Sequence, residues 1–348
     1  MKHVNALMLS GRAAIVGLAL VSAPFAALAS DSFAIEGYGF VTAADVRQHN
    51  RLPLDLAEIR QALTSPEPDF AAALQRYAYG GGFAWRDSFH SLAFFADDYN
   101  HRMARSLPGA VGFYGEGDYA HRQIVAALMG TGEFRGGGGQ RSQPEAVRAA
   151  FVIDGALATI LNWCRLELSE ASIRGPVNGN WSLRNGSPKN WSELFAFWYG
   201  PDGEHSLHAE MTRIHERFSM PEEPTRLVTG PLAAGQEILL EERWPREHAE
   251  EVRRALDLAS LALLLDRLAD LEAASEEQRD VALASLRGVW IAGVDTIARA
   301  DPAEAGRVDA QLRAGQAAEI GAVLRRAIEI AIVKLGFDAA LLGTALES

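Results

Sequence analysis

Nine histidines are few for 348 residues, and several fall at spacings that a helix would turn into a ligand set. Between Trp85 and Arg105, the residues His90, Phe94, Asp97 and His101 follow one another at steps of 4, 3 and 4. At about 100° per residue they share a stripe about 60° wide. Two imidazoles and a carboxylate on one stripe offer the nitrogen and oxygen donors that suit iron or zinc. His90 and His101 are about three turns apart, roughly 16 Å at a rise of about 1.5 Å per residue. The workable unit is therefore Asp97 with His101, completed by a carboxylate from another helix. A solvated polar face is the plainer explanation of the same stripe, although Phe94 lies within it.

A second group joins His205 and His208, one turn apart and able to share an ion, with Glu204 beside them. His215 lies about two turns further on, roughly 10 Å from His208, too far to bind that ion directly. Two Glu-x-x-Glu pairs, Glu167 with Glu170 and Glu247 with Glu250, put two carboxylates on one helix face, where a hard or borderline cation can be gripped. Glu167 and Glu170 end a strongly apolar segment and are the preferred pair. Glu247 and Glu250 also suit the first turn of a helix for dipole reasons. Asp154, Asn162 and Arg165 interrupt the same apolar segment, and buried charge there requires partners on another helix. Cys164, between Trp163 and Arg165, reads as a core residue. Asn180, Asn185 and Asn190 each open an Asn-x-Ser sequon and read as loop composition. The glycine runs Gly80–Gly82 and Gly136–Gly139 lack the Gly-Lys-Ser/Thr ending and preceding strand of a phosphate loop.

Apolar positions at a 3.6-residue period, without hairpin patterns, make the elements that carry these residues helical. The spacing predicts helices over 55–63, 70–77, 85–105, 119–129, 191–199 and 204–218. Pro108 and Gly109 are read as the end of the third. Pro144 opens a helix running to about Ala171, apolar on nearly all sides and therefore central. Pro245 opens another to about Ala274; Ser275–Gln278 resembles a capping box; Asp301-Pro302 starts a further helix and Gly336 closes the last. The expected fold is all-α, a multi-helix bundle. Residues 30–220 form an aromatic-rich region, and 221–348 an Ala- and Leu-rich helical bundle that either stands apart or packs with it as one unit.

Residues 1–29 read as a secretory signal peptide: Lys2, His3 and Arg12, then the apolar run Ala13–Val21, then Ala27-Leu28-Ala29. The apolar run is shorter than a bilayer span, and no later run of apolar residues reaches that length. Cleavage would remove Lys2 and Arg12 and no acidic residue, taking the formal charge from −12 to −14. The expected location is periplasmic or secreted, without membrane insertion. That charge opposes sequence-independent nucleic-acid binding. One cysteine excludes an intrachain disulfide and a structural zinc site built on several thiolates.

Four segments carry a resemblance: Tyr79–Ser88 (YGGGFAWRDS), Tyr114–Tyr119 (YGEGDY), Ala127–Phe134 (ALMGTGEF) and Asn190–Gly200 (NWSELFAFWYG). In this order and spacing, over roughly residues 35–215, the chain resembles the low-iron-inducible periplasmic iron-assimilation proteins of algae and bacteria. The resemblance implies an exported, helix-rich protein that aids iron uptake, with Glu-x-x-Glu carboxylates as ligands. On that reading the chain captures iron outside the cytoplasmic membrane and passes it to a membrane iron transporter. Two readings compete: a helical metal-dependent enzyme, oxidoreductase or hydrolase, and a metal-free periplasmic interaction protein.

Overall fold

The computed structural model describes residues 36–37, 40–80, 91–93, 100–135, 144–201, 203–315 and 317–346, with backbone alone for Glu36, Gly37, Asn100, His101, Pro224, Thr225, Ala317 and Ala318. The architecture is all-α. In chain order the helices are α1 (Leu52–Leu63), α2 (Phe70–Tyr79), α3 (Asn100–Ser106), α4 (Pro108–Tyr114), α5 (Tyr119–Met129), α6 (Glu145–Arg174) and α7 (Ser187–Tyr199). They continue with α8 (Leu207–Phe218), α9 (Pro224–Leu240), α10 (Arg246–Ala273), α11 (Arg279–Ala300), α12 (Pro302–Ala314) and α13 (Ala317–Leu335). A two-stranded antiparallel ladder, Glu36–Gly37 against Phe40–Val41, precedes them. Asp31–Ser348 is one compact unit; Met1–Ser30 divides off from it and lies outside the described residues.

The core is built on α6, as its apolar sequence requires. Every residue from Asp154 to Leu168 is buried. Along most of its length α6 packs against α11, and around it stand α7, α5, α1 and α10. Glycine permits the closest approach: a Cβ on Gly288 would lie 2.8 Å from the Gly155 nitrogen and 2.9 Å from the Phe151 carbonyl oxygen. The charges on α6 are paired across helices, as expected. Arg267 donates to Asp154 Oδ1 at 2.8 and 3.2 Å, and Arg165 lies 3.1 Å from Asp257. The Asp301 carboxylate accepts from the amides of Ala303 and Glu304 at 3.0 and 3.3 Å, capping α12.

Several expectations are corrected. The continuous helix over 85–105 does not form: residues 91–93 make a bend and turn, and the Ala93 amide donates to the Tyr77 carbonyl at 3.0 Å rather than up its own helix. Pro108 does not end a helix but begins α4, where its missing N–H costs nothing. The helix expected from Glu204 starts at Leu207, because the Ser206 hydroxyl accepts from the Ala209 amide and sets the N-cap there. Residues 224–240 form a helix despite the internal Pro231. Half of the Ser275–Gln278 box forms, Gln278 accepting from the Ser275 amide at 3.4 Å, and α11 begins only at Arg279. Among the described residues two helices, α6 and α11, are long and apolar enough to cross a membrane, contrary to the expectation that no later apolar run reaches that length. Their most apolar windows are 89% and 72% buried inside the unit, because each is the other's main packing partner.

Candidate functional site

Glu167 is an acid inside the buried stretch of α6, 4% exposed. Opposite it lies α7, whose Asn190 and Glu193 are three residues apart and so share a face. The Asn190 amide donates to Glu167 Oε2 and, at 3.2 Å, to Glu193 Oε2, bridging two carboxylates from different helices. A short 3₁₀ turn, His49–Arg51, closes the third side. Its His49 ring stands edge-on to Phe197, with centroids 5.4 Å apart, and places Nε2 3.0 Å from Glu193 Oε1. Lys189, one helical turn before Glu193, reaches the same oxygen at 3.0 Å and donates to the Asp45 carbonyl.

Burial sets the chemistry of this cluster. Desolvation, the neighbouring charge of Glu193 and a hydrogen bond with it push the Glu167 carboxyl well above the usual carboxylate range, with the Asn190 N–H pulling the other way. Glu167 therefore holds its proton more tightly than an ordinary glutamate does. A cation of charge two or more can take the place of that proton and of the Lys189 ammonium. Two carboxylates and an imidazole are donors that suit iron. Among the described residues no group of three or more His, Cys, Asp or Glu side chains converges as a ready metal cage. The acidic oxygens are engaged instead by N–H donors, so binding requires Lys189 and Asn190 to turn aside.

The residues singled out from sequence are dispersed. His90 and Asp97 lie outside the described residues, and His101 is the second residue of α3 with its side chain outside them. The turn at 91–93 separates His90 from the helix that holds His101. Glu170 does not join Glu167: it lies 2.8 Å from Arg105, 3.6 Å from Arg174 and 3.9 Å from Arg102. His205 sits in the bend before α8, whereas His208 is inside the helix, so the pair does not share a helical face. The His208 ring is buried against Tyr199, centroids 5.1 Å apart, and burial holds its pKa below the usual value. Glu247 is exposed, and the Arg253 guanidinium beside Glu250 keeps that carboxyl ionised below the usual range. Cys164 is a buried core residue whose thiol burial pushes up.

Sequence reasoning missed His49, Lys189, Asn190 and Glu193. A signal existed for two of them, since Asn190 and Glu193 are polar residues three apart in the otherwise aromatic run 190–200. Asn190 was grouped with the sequon asparagines of the loop, yet it is 4% exposed and part of α7. His49 lies in the polar run Arg47–Arg51, where nothing in the pattern sets it apart.

Both Glu167 and the α7 triplet fall within residues 12–214, over which the chain matches the family model described as low iron-inducible periplasmic protein, Fea1. No curated protein and no solved structure matches the chain. The family match spans more than half of the 348 residues and includes each of the four segments noted in the sequence, so the chain belongs to the Fea1 family of low iron-inducible periplasmic proteins and is periplasmic or secreted.

Proposed function

We propose that the chain captures iron outside the cytoplasmic membrane and hands it to a membrane transporter, with Glu167, Glu193 and His49 as ligands. The observation that carries this reading is the burial of two carboxylates against each other, 4% and 7% exposed, beside an imidazole. Burying like charges is costly unless they are compensated, and a cation compensates both at once. Membership of a low-iron-induced family supports iron as that cation. Removal of residues 1–29 on export belongs to the same proposal.

The test is titration calorimetry of iron into the chain beginning at Ser30, with proton release followed in parallel. Glu193→Gln and His49→Ala each weaken iron about tenfold or more. His101→Ala, which reports on the Asp97–His101 pair, leaves it unchanged if the buried cluster is the site. A second reading rests on Lys189, whose ammonium already neutralises Glu193: the cluster then joins α6, α7 and the 3₁₀ turn without metal, in an interaction protein. Absence of metal binding, together with loss of folding in Glu193→Gln, selects that reading.

A further inference from the structure

A cavity of about 530 Å³ opens between α3, α6, α10 and α11. Five arginines line it: Arg105, Arg165, Arg246, Arg253 and Arg299. Three acids stand among them, Glu250, Asp257 and Asp295, so the lining stays cationic in a chain whose formal charge is −12. Asp257 gathers three of the heads, at 3.1 Å from Arg165, 3.0 Å from Arg253 and 2.6 Å from Arg299. These bonds fix the guanidinium forks before any ligand arrives.

Arg165 and Arg246 keep donors for a ligand. Arg165 is 5% exposed, and its Nε has no hydrogen-bond partner. A buried N–H left in that state costs about 1–3 kcal/mol. Arg246 is exposed, and among the described residues its side chain makes no hydrogen bond or ion pair. Ser169 adds a hydroxyl, and Leu168 and Trp244 add an apolar wall.

We propose that this cavity binds a small organic polycarboxylate. Planar guanidinium forks match carboxylates two N–H groups at a time. The volume falls in the range of about 300–1,000 Å³ that holds organic ligands and exceeds the needs of an inorganic oxyanion. The apolar wall suits a carbon skeleton. The site is distinct from the carboxylate cluster: at about 100° per residue, Glu167 lies roughly 150° around α6 from the face of Arg165, Leu168, Ser169 and Ser172. The ligand arrives either as the free acid or as the outer surface of a metal chelate, and the recognised group is the carboxylate in both.

The experiment is calorimetric titration of metal-free citrate into the chain beginning at Ser30, with inorganic sulfate and ferric citrate as parallel arms. Citrate is expected to bind, sulfate to bind at least about tenfold more weakly, and Arg246→Ala to weaken citrate about tenfold. Arg243→Ala removes an equal charge nearby, from a side chain paired with Glu241, and is expected to change nothing. Tighter binding of ferric citrate than of citrate identifies the chelate as the source; equal binding identifies the free acid. No heat with either form of citrate overturns the proposal. So does sulfate matching citrate, or Arg243→Ala matching Arg246→Ala, since either result reduces the effect to general attraction of anions. Because the first arm holds no metal, its outcome is independent of whether iron binds at Glu167.

Discussion

Glu167→Gln separates a carboxyl that holds a proton from one that holds a charge. In the folded chain Glu167 hydrogen-bonds Glu193 and accepts from Asn190, and its pKa is raised. Glutamine keeps the acceptor for Asn190 and offers an N–H to Glu193, so it mimics the protonated acid and costs the metal-free fold no more than about 1 kcal/mol. The sign of the pH dependence follows from the raised pKa. Between the ordinary glutamate value of 4.5 and the raised one, the folded chain holds more protons than the unfolded chain. The contribution of this group to stability is therefore full below the unfolded value and is lost as pH rises through the folded value. The variant lacks that loss. Iron tells the opposite story, since the variant removes an anionic ligand from a dry site, a loss of about 3 kcal/mol or roughly a hundredfold in Kd. Wild-type affinity should also rise about tenfold per pH unit while the Glu167 proton must leave, whereas that of the variant should be nearly flat. Thermal melts and iron titrations between about pH 5 and about pH 8 read both effects. A metal-free variant that melts far below wild type at neutral pH would refute a proton held on Glu167, and unchanged iron affinity would remove Glu167 from the site.

Gly288→Ala forces a methyl to within 2.8 Å of the α6 backbone and should destabilise by about 2 kcal/mol in urea denaturation, with the helical circular dichroism of the native state retained. Asp154→Ala leaves Arg267 short of one buried partner and should cost about 3 kcal/mol in the same assay; a change under about 0.5 kcal/mol would show that Glu210 and Asp266 suffice for that guanidinium. N-terminal sequencing of the exported protein should begin near Ser30, and recovery of intact Met1 chains outside the cytoplasmic membrane would contradict cleavage.

The helical architecture is legible in sequence because its signals are local. The run from Ala149 to Leu161 is apolar on nearly every side, so α6 has to be central, and Asp301-Pro302 caps α12 through its own side chain and the amides just after it. Asp154 and Arg165 are legible as paired charges for the same reason: a charge on a buried helix needs a partner, even when the partner's identity is hidden. The carboxylate cluster is not local. Glu167, Glu193 and His49 come from three elements, and only the packing of α7 against α6 and of the 3₁₀ turn against α7 brings them together. His90 and Asp97 lie outside the described residues, so the histidine stripe stays an expectation from spacing. The Ala93 amide pairs with Tyr77, so residues 85–105 are not one unbroken helix. The Ser206 cap places His205 before the helix and His208 inside it, a boundary that spacing alone does not give.

Cys164 is the only thiol in the chain, and it sits at the middle of the core, its Sγ directed at the Leu194 carbonyl at 3.8 Å. A chain working outside the cytoplasm meets oxidants. While unfolded it shows them one sulfur with no mate of its own, so a disulfide can only join it to a foreign thiol. Such an adduct does not fit where α6 and α7 close on each other, because a packed interior has no spare volume. Native yield outside the cytoplasm is thus decided by a race between closure of α6 and capture of its sulfur. Once the core has closed the race is over, and the thiol is as inert as the leucines around it.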